Sequence, residues 1–422
     1  MIPPTALQWL RSPALTPLWT AIRGRLQRNG RQATGRLTVR CPEHEQREAV
    51  GQLLGRAVGS EAGIDLAALD RLLRSSAAGA GLVDVVEAIT GPIPDRRAAA
   101  AAEQDRRASL REQALAAAST AGLDGQVWLT EWLDRAFRGG IAGRLPSQET
   151  HRLLTRAITT LGLILAGTGG LWSRGELAEQ VTGTAHGLDD DTLLNRLVLR
   201  GIALATTGQA EAPASAVDRR ALWESVGVAG DTVATTALTY GLVPLGDGWQ
   251  ATQLRERASH HREAHLTLRD LRQLLPIRLA PQTVYVCENP RVLEAAAQAR
   301  VRAAMVCTLG NPTAVTLALI DAVAANDGVR LRYHGDFDWP GVAIAGRLMR
   351  RTGAGPWRFT AADYEAAVLA TRDPDTPPHQ LSGAPVATAW DPDLATAMLR
   401  EGVAVHEERV TEALLADLMR NG

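Results

Sequence analysis

The sequence contains no lysine, so all 45 of its lysine-plus-arginine positions are arginine. A phosphate loop of the Walker type needs a lysine, so that class of NTPase is excluded. Arginine in its place suits phosphate contacts through its fork of donors. Cysteine is scarce and scattered, at Cys41, Cys287 and Cys307. This excludes a disulfide framework and zinc knuckles and fits a reducing cytoplasm. There is no apolar run long enough to span a bilayer and no stretch resembling a signal peptide, so a cytoplasmic protein without membrane contact is expected. No Gly-x-Ser-x-Gly elbow is present. The net charge is −1, so no overall field advertises nucleic acid.

The charge is nevertheless unevenly placed. The first forty residues carry Arg11, Arg23, Arg25, Arg28, Arg31, Arg36 and Arg40 and no acid. Such a patch either contacts a polyanion, most simply a DNA backbone through Arg23, Arg25, Arg28 and Arg31, or pairs with acids such as Glu43, Glu45 and Glu48.

The most informative stretch is Leu331–Arg347, LRYHGDFDWPGVAIAGR. A short β-type run (Val329–Tyr333) ends in Gly335-Asp336-Phe337-Asp338, and Pro340-Gly341 opens an apolar helical pattern. Two carboxylates one residue apart point the same way at a strand end. They suit a hard divalent cation such as Mg2+, although Asp is also common in βα turns and helix caps. Upstream, Thr283–Pro290 (TVYVCENP) has the same design, with Glu288 at the strand tip. Between them lies Ala304–Asn311, a strand ending at Gly310, with a helix over Thr313–Ala325. Strands alternating with helices make a parallel sheet with right-handed crossovers. The carboxyl ends of its strands line one edge, so Glu288, Asp336 and Asp338 can converge there. Glu407 and Glu408 end a strand-like Gly402–His406, and Glu407 is a candidate for an additional acid.

Elsewhere the pattern is mainly helical. Residues 1–145 read as an N-terminal, mainly helical region with periodic stretches at Ile64–Arg74 and Arg96–Ala118. Residues 146–275 read as a second unit. Helical runs (Thr150–Leu165, Gly175–Val181, Thr192–Leu204, Arg219–Val226, Asp231–Leu238) precede a strand-like Gly241–Trp249 with a turn at Gly246–Gly248. Short helices followed by a hairpin suit a winged-helix-like DNA-binding cap. Residues 276–422 hold the α/β part. His261 and His265 stand at zinc-pair spacing on an expected helix, but HREAH misplaces the glutamate of the zinc-protease pattern. They read as surface histidines.

The ordered set Glu288-Asn289-Pro290, Gly310 and Asp336-Phe337-Asp338 resembles a Toprim domain, a Rossmann-like metal-binding fold of topoisomerases, primases and nucleases. The phrases VYVCENP, Gly310-Asn311-Pro312, YHGDFDWPG and VAVHEERV resemble more closely the JetD family of Wadjet plasmid-defence systems, in its type II branch. That family is similar to the topoisomerase VI A chain. The resemblance covers the last third of the chain well and the earlier part, through LWESVGV and DDDTLLNRLVLR, more loosely. It implies a multidomain α/β protein: an arm region, a winged-helix-like cap and a Toprim domain. It implies a homodimer that cuts double-stranded DNA when delivered by a condensin-like SMC ATPase complex with its kleisin and winged-helix components. It implies Mg2+ (or Mn2+) on Asp336 and Asp338, with Glu288 as ligand or general base, in a nuclease that hydrolyses phosphodiesters. A topoisomerase-like covalent link needs a cap tyrosine, and only Tyr240 lies in that region. Hydrolysis is therefore expected, with covalent tyrosyl cleavage and a non-catalytic metal- and DNA-binding role as the alternatives. A haloacid-dehalogenase-like phosphatase also uses Asp-x-Asp, but Trp339-Pro340 and the separate Glu288 depart from its run.

Overall fold

The computed structural model describes residues 2–139, 145–166, 170–370 and 378–421. The chain forms two compact units that divide at Glu112/Gln113, inside the helix Arg96–Thr120. The division does not coincide with the expected boundary at 145.

In the first unit, a hairpin-like pair of strands, β1 (Arg36–Arg40) and β2 (Glu61–Asp65), runs antiparallel beside helices Thr16–Arg28, His44–Leu54, Leu66–Ser75 and Leu82–Thr90. Trp19, Ile22, Leu26, Val39, Ile64, Leu69 and Val85 form its core. The helix expected from Ile64 starts only at Leu66. Asp65 accepts a hydrogen bond from the Ala68 amide at 2.9 Å and caps it there, while Ile64 is buried from the strand.

The second unit begins with a helical layer. Helices Val127–Arg138, Ser147–Leu165, Arg174–Thr182, Leu193–Thr207 and Ala216–Ser225 bury Trp132, Leu154, Ile158, Leu161, Val198 and Ile202 together. Two short strands, β3 (Trp172–Ser173) and β4 (Val228–Ala229), pair in parallel across this layer.

The rest is built on a six-stranded mixed sheet. Its order is β10 (Gly355–Pro356), β9 (Arg330–Tyr333), β7 (Thr283–Cys287), β8 (Ala304–Cys307), β5 (Thr236–Tyr240) and β6 (Glu263–Thr267). The first four are parallel, as the alternation of strands and helices implies, and β5 and β6 extend the sheet antiparallel. Both faces are covered, so the central strands β7 and β8 are apolar almost throughout. Val284, Val286, Val306 and Leu331 face helices Ala314–Ala324 and Trp339–Thr352. Tyr285, Cys287, Met305 and Cys307 face helices Pro290–Gln298 and Thr411–Asn421.

Two expectations are corrected here. Asp231–Leu238 is not a helix: the Asp231 carboxylate takes the amides of Val233 and Ala234 in a turn, and the β-branched run behind it becomes β5. Gly241–Trp249 is not a strand. Gly241, at φ +65°, ends β5, and Gly248 stands at the start of a helix, Trp249–Ser259, inserted between β5 and β6. No hairpin forms at 241–249; the strands on either side of it, β5 and β6, belong to the central sheet, which spans the expected boundary at 275. The same helix ends before His261, which sits in a turn at φ +53°, and His265 lies on β6, so the two histidines do not share a helix face.

A Cβ on Gly241 would lie 2.0 Å from the Ala303 carbonyl oxygen at the β5–β8 seam. Gly241→Ala is therefore expected to cost about 2–4 kcal/mol, summing the left-handed backbone and the collision. Urea denaturation of the variant measures this. A hairpin independent of the sheet would tolerate the change.

Candidate metal centre

The strand order decides where the site forms. β7 connects to β8 on one side and β9 to β10 on the other, although β7 and β9 are neighbours. Their helices cover opposite faces: Val292 and Leu293 after β7 on one, Val342 and Leu348 after β9 on the other. At such a switch point a crevice opens beyond the carboxyl ends of the strands. Glu288 follows β7 directly, and Asp336 and Asp338 follow β9. The three acids expected from sequence therefore meet at one place.

Phe337 sets the direction of the two aspartates. It is buried, stacks on Phe359 at 4.7 Å and forms a bridge to Val405, with amide–carbonyl distances of 2.9 and 3.3 Å in the two directions. With Phe337 turned inward, Asp336 and Asp338 turn to the crevice. Asp338 also caps the helix Trp339–Thr352, accepting from the Gly341 amide at 2.7 Å. A Cβ on Gly341 would lie 2.3 Å from the Asp336 carbonyl oxygen, so glycine is required there.

The same bridge delivers His406 and Glu407, which sequence spacing could not connect to the site. The Glu407 amide donates to Asp336 Oδ1 at 2.7 Å, and His406 Nδ1 lies 3.1 Å from Asp336 Oδ2. Asp336, Asp338 and His406 each offer one ligand atom, and these atoms lie within 4.8 Å of one another. Ligands of one ion at about 2.0–2.6 Å must lie about that close, so this donor set fits a divalent cation.

Glu407 is not exposed as an additional metal acid. It is fully buried, and its carboxyl faces inward. It accepts from the amides of Glu288 and Asn289, and His334 Nδ1 lies 3.0 Å away. Burial pushes the Glu407 carboxyl well up and drops His334 to about 3, so both shifts disfavour the charged forms. Glu407 thus ties the β7 tip to the β9 tip.

The crevice concentrates negative charge. Among the described residues no arginine pairs with Glu288, Asp336 or Asp338. Burial first, and then the neighbouring Asp336, raise Glu288 to about 7. Burial likewise raises Asp338, with Asp336 adding to it against the opposing Gly341 amide. The hydrogen bond to Asp336 raises His406. The Glu288 carboxyl is oriented by the Asp336 amide, which donates to its Oε2 at 3.2 Å. The Tyr333 hydroxyl is buried without a hydrogen-bond partner. A Cβ on Gly335 would lie 2.8 Å from both this hydroxyl and Glu288 Oε2, so the phenol borders the acid cluster.

The arginines expected to contact DNA lie in the first unit and are partly committed. Arg23 donates to the carbonyls of Thr90, Gly91 and Pro92, closing the end of helix Leu82–Thr90, and Arg31 pairs with Glu87 at 2.8 Å. Arg36 and Arg40 pair across the strands with Asp65 and Glu61. Arg25 is half-buried and Arg28 exposed on the helix Thr16–Arg28, and neither forms an ion pair among the described residues.

Two family models match this chain. Residues 33–244, half of the sequence, match the family described as "Protein of unknown function N-terminus (DUF3323)". The chain belongs to the DUF3323 family. Residues 264–418 match "Protein of unknown function C-terminus (DUF2399)", which holds every residue of the metal centre. The DUF3323 match includes β5 and the DUF2399 match most of β6, so the central sheet draws on both. Both domains are known in JetD-like proteins. No curated protein matches the chain. No helix among the described residues is long and apolar enough to cross a membrane.

The raised acids give a signed pH dependence. A carboxyl whose folded pKa exceeds its unfolded value binds its proton more tightly when folded, so its contribution is lost as pH rises. In a chelator, stability is expected to fall as pH climbs from 4.5 towards about 7, the Glu288 window, and Glu288→Gln should flatten that slope. Melting temperatures across this range check it. A flat wild-type profile would contradict the burial of charge at Glu288.

Proposed function

We propose that this protein is a metal-dependent DNA endonuclease that hydrolyses phosphodiester bonds, acting as the cutting component of a condensin-like SMC anti-plasmid defence complex. The observation that carries the reading is the convergence of Glu288, Asp336, Asp338 and His406 at the sheet's switch point. The reading takes the parallel part of the sheet as a Toprim domain and the helices from residue 146 as a winged-helix-like cap. The SMC partners, the homodimer and the defence role rest on the JetD resemblance, supported by the paired DUF3323 and DUF2399 domains.

The chemistry follows from the donor set. A divalent cation bound by Asp336 and Asp338 would supply charge neutralisation on the phosphate oxygens and a more acidic water. Mg2+ or Mn2+ suits oxygen donors of this kind. Glu288, at about 7, is poised to accept a proton from an attacking water near neutral pH. Glu288 lies outside the three donors that come within 4.8 Å of one another, which favours the base over the ligand for it. Glu407 and His334 hold the strand tips from behind and touch no substrate.

The tyrosines favour hydrolysis over a covalent link. All four tyrosines are buried, none more than 6% exposed. The Tyr240 hydroxyl donates to the Val301 carbonyl at 2.7 Å, and Tyr364 donates to Val403 at 2.7 Å. Tyr285 packs on Trp357, and burial raises its phenol as it does the others. A nucleophile must reach the phosphorus, and these do not.

With Mn2+ or Mg2+ and the SMC-type partners, purified protein is expected to linearise circular plasmid and leave no protein on the ends. Asp336→Ala and Asp338→Ala should lower the rate by about 100-fold or more, equivalent to several kcal/mol of transition-state charge stabilisation. Tyr240→Phe should cut as wild type does. Undiminished cutting by the aspartate variants would refute the site, and protein trapped on the ends that disappears in Tyr240→Phe would replace hydrolysis with tyrosyl transfer.

A further inference from the structure

His406 changes what the centre prefers to bind. An all-oxygen set of two aspartates and waters suits Mg2+, a hard ion that demands near-ideal octahedral oxygen geometry. Here the third donor within reach is an imidazole: His406 offers a ring nitrogen within 4.8 Å of carboxylate oxygens from both Asp336 and Asp338. Imidazole binds first-row transition ions well and contributes little to Mg2+. The ring is held in place, since Val405, the residue before it, is locked to Phe337, and Glu407, the residue after it, is buried under the strand tips. It is also accessible, with 38% of its side chain exposed. A second feature points to an absent ligand: the Tyr333 hydroxyl, on a fully buried side chain, borders Glu288 and has no protein partner.

We propose that Asp336, Asp338 and His406 form a mixed carboxylate–imidazole site that takes a first-row transition dication, of the Mn2+ or Co2+ class, in preference to Mg2+. The inference rests on the reading of the aspartate pair as a metal centre and adds its selectivity. His406 is a direct ligand in this account. The competing role is that of a positioning residue, in which the ring only steadies Asp336 through the 3.1 Å contact seen here.

The test uses the full chain and direct binding. Calorimetric titrations with Mn2+, Co2+ and Mg2+ are expected to give at least about tenfold tighter binding of the transition ions, following the order of N/O-site affinities. Pulsed EPR of the Mn2+ complex is expected to show nitrogen hyperfine coupling from a bound imidazole. His406→Ala should abolish that coupling and erase the preference while Mg2+ binding changes little. His406→Asn, which keeps a donor to Asp336 but offers no ring nitrogen, should behave the same way. Circular dichroism melts identify any variant that has lost its fold, and His406→Asn then decides. If the preference and the coupling survive in His406→Asn, or the coupling is absent from wild type, His406 is not a ligand and the proposal fails. Loss of binding in Asp336→Ala and Asp338→Ala alongside that result would leave the aspartate centre standing. If wild type binds none of the three ions, the aspartate centre fails as well.

Discussion

Two hydrogen bonds between Phe337 and Val405 hold the candidate centre together. They splice a segment near the end of the chain onto the tip of β9, and everything functional is arranged around that splice. Phe337 can sit there because Phe359, Tyr364 and His334 surround it in the core. Its burial forces Asp336 and Asp338 outward and brings His406 and Glu407 up to Asp336. Without the bridge, the acids would be a strand-end turn with no third ligand and no buried support.

The centre is costly for the folded protein. Three half-buried acids share a crevice with no arginine among the described residues to neutralise them, and burial holds Glu288 and Asp338 partly towards their protonated forms. Stability is supplied elsewhere, chiefly by the apolar packing on both faces of the sheet. A bound cation would relieve electrostatic strain of this kind and would so couple its binding to folding. Glu407 shows the contrasting solution: a carboxyl supplied with backbone amides and a histidine, it is buried completely and serves as scaffold.

The family matches carry a structural lesson. The DUF3323 and DUF2399 segments are not separate folding layers, because β5 from one and β6 from the other pair along five residues each. The antiparallel edge therefore makes the C-terminal sheet depend on residues well before it. In the first unit, the basic stretch that resembles a DNA-binding patch is partly spent on carbonyl groups and cross-strand acids, which leaves Arg25 and Arg28 as its least committed members.

What the sequence determined by itself was local. Alternating apolar strands and helices, with Glu288, Asp336 and Asp338 at strand tips, sufficed to place three acids on one sheet edge, because parallel strands point their carboxyl ends the same way. Helical patterns also located several helices to within a few residues, Arg96–Thr120, Ser147–Leu165 and Ala314–Ala324 among them. The assignments that failed involve choices between neighbours far apart in the chain. Asp231–Leu238 became turn and strand because β8 offered β5 a partner, and His261 and His265 were parted when β6 paired with the other side of β5. His406 carried no signal of its own, since a histidine beside two glutamates reads as a surface residue until the Val405 bridge sets it against Asp336. Glu407 turned inward for the same reason: only the folded sheet supplies the amides of Glu288 and Asn289 that make burying a carboxyl tolerable.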